Sequence, residues 1–146
     1  MASSVRVAVD AMGGEFGPPV IVSALVACLK KNMSVEALIY GDERAINKEL
    51  ASHDLSAVLG RLKVVHCVEH VSDLDKPSAV LRSKRDSSMG CAVKAVADQE
   101  ADACISAGNT GALMALGLFC LKTLPGISRP AICTTFPTVR GRTYVL

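Results

Sequence analysis

The sequence predicts an α/β fold built on a mostly parallel sheet, and three observations carry that prediction. Short β-branched runs alternate with longer segments of helical periodicity, the pattern of repeated strand–helix–strand units. Glycine- or serine-rich turns open the helices in "DAMGGEFGPP", "RSKRDSSMG" and "SAGNTGAL". The chain has 146 residues, half of them hydrophobic and 21% charged, enough for one packed domain with a core.

Each element has its own signal. Val5 to Asp10 reads as the first strand and Met12 to Gly14 as a glycine turn. Pro18 and Pro19 open a helix to about Lys31, where the missing N–H costs least. Val35 to Tyr40 is a second strand, and Glu43 to Ser52 an amphipathic helix capped by Asp42. Leu62 to Val68 is a third strand, followed by the polar loop "EHVSDLDKP" and a short helical turn from Pro77 to Arg82. Ala92, Val93 and Val96 give helical spacing to Met89–Gln99. Ala103 to Ser106 is the next strand, and Gly111 to Thr123 the next helix, broken by Pro125 and Gly126. Ala131 to Phe136 reads as a further strand. Thr143 to Leu146 reads as the opening of a buried one, with no cap, turn or polar tail after it. The sequence is therefore expected to be truncated, and it reads as one domain or part of one.

Composition narrows the function. Sixteen basic against fourteen acidic residues give +2, too mild to imply nucleic acid, and 3% aromatics with no Trp argue against base stacking. The six cysteines contain no C-x-x-C pair, and Cys28, Cys104, Cys120 and Cys133 sit in apolar runs, where a free thiol behaves as a small hydrophobe. This usage points to a reducing, cytoplasmic compartment. The N-terminus lacks a signal-peptide pattern, and Ala112–Leu121 is about half the ~20 residues of a membrane span.

Ligands of an open parallel sheet bind beyond the carboxyl ends of its strands. The three turns fall there, with glycines for close approach and helix N-termini offering free N–H groups to an anion. Arg82, Lys84 and Arg85 precede Ser87 and Ser88 and add cationic partners, although Arg85 reads better as part of a solvated face. Asp10 is either a hydrogen-bond acceptor for the turn or an active-site group. "GNTG" is either an ordinary strand–helix turn or a site. Neither it nor "AMGGEFG" fits a dinucleotide or Walker pattern. His66 and His70 straddle a strand end and a loop, where a spacing of four has no ligand meaning, and read as surface or capping residues. His53 falls at a helix end. No nucleophile elbow or Cys–His pair marks a covalent nucleophile.

"VAVDAMGG", "DKPSAVLRSKRDSSM" and "ADACISAGNTGALMALGLFCLKTLPGISRPAICTTFPT" closely resemble the phosphate acyltransferases of bacterial phospholipid synthesis, in family order and at family spacing from Val5 to Leu146. The resemblance implies a doubly wound fold related to phosphotransacetylase and isopropylmalate dehydrogenase. It also implies a homodimer, peripheral membrane contact at the inner face of the cell membrane, and a considerably longer chain. Glu15 departs from the family's usual Asp and keeps the carboxylate.

The implied reaction moves a long-chain acyl group from the thioester of acyl carrier protein to inorganic phosphate, giving acyl phosphate, with no metal or nucleotide cofactor. Phosphate is itself a nucleophile, so the protein's task is to hold an anion and stabilise an oxyanion. Residue type and placement assign Arg82, Lys84, Ser87 and Ser88 to phosphate or phosphopantetheine contacts, together with Ser106 and Gly108, and Gly13 and Gly14 to close backbone approach. Asn109 and Thr110 are the expected oxyanion or phosphate donors, and Asp10 orients phosphate or accepts its proton. Arg82, Arg85, Lys94, Arg140 and Arg142 are candidates for a basic patch facing acidic acyl carrier protein. The alternatives are a phosphotransacetylase-like transferase using acyl-CoA, and an inactive chain that keeps only part of the fold.

Overall fold

The computed structural model describes residues 4–146. Its centre is a four-stranded parallel sheet of β1 (Val5–Asp10), β2 (Val35–Gly41), β3 (Leu62–His66) and β4 (Ala103–Ile105), in the order β3-β2-β1-β4. The helices are α1 (Pro18–Lys31), α2 (Glu43–Leu50), α3 (Pro77–Ser83), α4 (Ser88–Ala97) and α5 (Thr110–Leu121). The doubly wound prediction holds, and its physical origin is the two-residue period of the strands. Val9 and Ile39 point to one face and pack against Val22, Val26 and Leu29 of α1 and Ile46 of α2. Ala8 and Tyr40 point to the other and pack against Ala92 and Ala95 of α4. A third cluster joins Val80, Met89, Val93, Ala112 and Leu116, stacking α3 and α5 on α4. Leu29 and Ile39 have no exposed surface, and each such burial contributes about 1.5–3 kcal/mol.

The helix ends follow local chemistry. Pro18 and Pro19 occupy the first positions of α1, and Val22, Leu25, Val26 and Leu29 form its buried stripe. Arg61 closes the other end of α1. Its guanidinium donates to the carbonyls of Leu29 (2.7 Å), Asn32 (2.9 Å), Val35 (2.9 Å) and Ala57 (2.8 Å). The Asp42 carboxylate accepts from the amides of Arg44 and Ala45, as its position predicts. His66 joins this cap, its Nδ1 accepting from the Glu43 amide at 3.2 Å.

The C-terminal segment corrects the sequence reading. The strands there are β5 (Thr134–Thr138) and β6 (Gly141–Val145), which pair with each other in an antiparallel hairpin, Phe136 opposite Thr143. Neither joins the parallel sheet, and every residue of both is exposed, so the buried strand expected from Thr143 is not formed. Gly141, at φ +143°, lets the chain reverse after Val139 and Arg140 and satisfies both strands locally. Two cysteines also differ from expectation. Cys28 and Cys133 are exposed, the first because it lies off the buried stripe of α1. Among the described residues, no helix is long and apolar enough to cross a membrane.

Candidate active site

Because β2 and β3 lie on one side of β1 and β4 on the other, the chain changes direction between β1 and β4, and a crevice opens at their carboxyl ends. Asp10 ends β1 and Ser106 follows β4. Their side chains meet, Ser106 Oγ donating to Asp10 Oδ2 at 2.7 Å. Asp10 is 2% exposed, and its Oδ1 accepts from the Met12 amide at 3.1 Å. Ser106 Oγ in turn accepts from the Gly108 amide at 3.1 Å. One carboxylate thus organises both the β1 and the β4 turn, 96 residues apart in sequence.

Glycine makes this junction possible. A Cβ on Gly13 would lie 2.7 Å from the Gly108 nitrogen, 2.8 Å from Asp10 Oδ2 and 2.9 Å from Ser106 Oγ. Gly14 has φ +81°, and a Cβ there would lie 3.3 Å from that of Ala107. The close approach read from the sequence therefore brings one loop against another. Behind them stands Met89, whose Cε would lie 3.1 Å from a Cβ on Gly108.

The N-terminus of α5 opens beside this pair. Asn109 is its cap, with Oδ1 accepting from the Ala112 amide at 3.0 Å. Its Nδ2 donates to the carbonyls of Ser72 (3.2 Å), Asp73 (3.2 Å) and Asp75 (2.9 Å). Both ends of this amide are therefore committed inside the protein, which corrects its reading as an oxyanion donor: the side chain fixes the turn. The first amides of α5, those of Thr110 and Gly111, have no acceptor among the described residues, as expected for a helix start.

The second motif divides. Lys84 pairs with Asp75 at 2.5 Å and donates to the His70 carbonyl at 3.3 Å, so its charge is already matched. Ser87 is a buried cap for α4, accepting from the Gly90 amide at 3.3 Å and donating to the Lys84 carbonyl at 2.6 Å. Ser88 is also fully buried. Its amide donates to the Glu69 carbonyl at 2.9 Å, while its Oγ has no hydrogen-bond partner among the described residues. Arg82 is exposed in the last turn of α3 and has no ion pair among the described residues. Arg85 stacks on Phe119, 4.2 Å from the ring centroid. Gly90, which the sequence did not single out, is obligatory. A Cβ there would lie 2.0 Å from the Arg85 carbonyl oxygen.

Thiol chemistry is disfavoured here. Burial, reinforced by neighbouring Cys91, pushes the Cys67 thiol up to about 12, and burial also raises Cys104. Asp75 moves the other way. Its carboxyl is held below the usual range, first by the Lys84 hydrogen bond and then by the Ser72 amide.

The model of a family described as fatty acid synthesis protein matches residues 5–146. The chain belongs to that family. Among its curated relatives, a phosphate acyltransferase of Rhodopseudomonas palustris (strain BisB5) is 52% identical over 147 residues, covering 100% of this chain and 41% of the relative. Phosphate acyltransferases of Nitrosococcus oceani and Vibrio parahaemolyticus are 48% and 47% identical, each over 98% of this chain and 42% of the relative. The chain spans about two-fifths of the length of these relatives. The family resemblance carried by the three motifs is borne out.

Proposed function

We propose that this chain is the N-terminal part of an acyltransferase domain that moves a long-chain fatty acyl group from acyl carrier protein to inorganic phosphate, giving acyl phosphate for phospholipid synthesis. One observation carries the reading: the Asp10–Ser106 pair lies at the switch point, beside the uncommitted first amides of α5. The names of the relatives supply the reaction class.

A phosphate oxygen attacks the thioester carbonyl carbon, forming a C–O bond and a tetrahedral oxyanion. The C–S bond then breaks, and the phosphopantetheine sulfur leaves as a thiolate that takes up a proton. The amides of Thr110 and Gly111 hold the phosphate or the oxyanion, where fixed donors at a helix start act most strongly. Asp10 orients the phosphate or accepts its proton, and Ser106 holds the carboxylate in place. Arg82 serves phosphate or phosphopantetheine. Gly13, Gly14 and Gly108 let the two turns pack closely enough to hold the Asp10–Ser106 pair in place. A homodimer, a cytoplasmic location and peripheral membrane contact complete the proposal.

The test incubates the chain with palmitoyl-acyl carrier protein or palmitoyl-CoA, with and without phosphate, and follows thioester loss and acyl phosphate. The proposal expects phosphate-dependent loss of the carrier-protein thioester with matching acyl phosphate. Preference for palmitoyl-CoA would overturn the donor, and thioester loss indifferent to phosphate would overturn the reaction.

A further inference from the structure

We propose that Asp75 is a positioning residue for the anion site, setting the start of α5 through Asn109; the proposal rests on the acyl-transfer reading of that site. Asp75 belongs to the second motif, but its contacts lead to the third. The Asn109 amide gathers three carbonyl oxygens of one turn, those of Ser72, Asp73 and Asp75. Three acceptors converge on one nitrogen only if the turn itself is held.

Asp75 holds it from inside. Its Oδ2 accepts from the Ser72 amide at 2.8 Å, closing the turn. The same oxygen receives Lys84 Nζ at 2.5 Å, which ties the turn to the end of α3, and Lys84 reaches the His70 carbonyl as well. Pro77 packs on the far side, its Cγ 3.2 Å from where a Cβ on Gly111 would sit. The turn and the start of α3 that follows it therefore meet the start of α5 at Asn109 and Gly111, on both sides of Thr110.

Charge balance fits the same role. Lys84 neutralises Asp75, so a carboxylate is kept close to an anion site without repelling the anion. The depressed titration of the Asp75 carboxyl agrees with a pair that stays ionised at neutral pH.

The test compares wild type, Asp75→Asn and Asp75→Glu by amide hydrogen exchange and by titration with inorganic phosphate. Loss of one hydrogen bond to a charged group corresponds to about tenfold in each readout. Asp75→Asn is expected to speed exchange of the Ala112 and Leu113 amides, both bonded to Asn109, by about tenfold and to weaken phosphate about tenfold. The amides of Leu29 and Ile39 should not change, and Asp75→Glu should restore much of both losses. Unchanged exchange at Ala112 and Leu113, or faster exchange with unchanged phosphate affinity, would overturn the role of Asp75. A wild-type chain that binds no phosphate would instead contradict the reading of the site itself.

Discussion

The sheet around β2 and the sheet around β4 are built from similar sequence and end in different surroundings. At β2, Ile39 is fully buried under α1 and α2, and Tyr40 is 4% exposed under α4. At β4, α4 covers one face, while Ile105 is 53% exposed on the other. An apolar groove of about 360 Å³ runs there between α1 and β4, lined by Val7, Ile21, Leu25, Ile105 and Ala107. On the α4 side, α5 is apolar around its whole circumference, yet Met114, Leu118, Phe119 and Leu121 remain exposed. A helix of that composition is suited to burial on several sides. Patterning writes the elements of both regions equally well, and only the packing partners differ.

The largest effect that sharpens this contrast comes from paired truncations. Leu29→Ala in the closed region should cost about 2–5 kcal/mol, whereas Leu118→Ala in the open one should stay within about 0.5 kcal/mol. Urea unfolding of the two variants measures the difference, and equal losses would break the comparison. At the seam, Gly13→Ala forces a Cβ against the Gly108 backbone and should cost about 1–3 kcal/mol. Thermal unfolding of this variant, with the Ser106 and Gly108 amide resonances as local probes, shows whether the two turns separate. Arg61→Met removes the guanidinium that serves four carbonyls and should cost about 1–3 kcal/mol, again read by urea unfolding.

The smallest effect is a dependence on pH. The Asp75 carboxyl titrates below its unfolded value, so its stabilisation is fully present above that unfolded value, about 3.9, and is lost as pH falls through the folded one. Unfolding followed between neutral and acidic pH should therefore show part of the acid sensitivity disappear in Asp75→Asn.

What the sequence made legible was local. The alternation of Val5–Asp10 placed β1, the Pro18–Pro19 pair started α1, and Asp42 took the cap position its type favours. The strand ends likewise pointed to Asp10 and Ser106, because in this topology those positions face the crevice. What it hid was tertiary. The partner of Lys84 lies nine residues away in an irregular loop that carries no period, and Asn109 spends its amide on carbonyls that any residue possesses. The hairpin was missed for a related reason: Thr134–Thr138 has strand composition whether it joins a parallel sheet or pairs with its neighbour.

Titration of the isotope-labelled chain with inorganic phosphate, followed amide by amide, tests the central claim most directly. The account predicts saturable shifts at Ser106, Gly108, Thr110 and Gly111, weakened by Ser106→Ala. Shifts confined to other basic surfaces, such as Arg140 and Arg142 of the hairpin, with Thr110 and Gly111 unmoved, would contradict it.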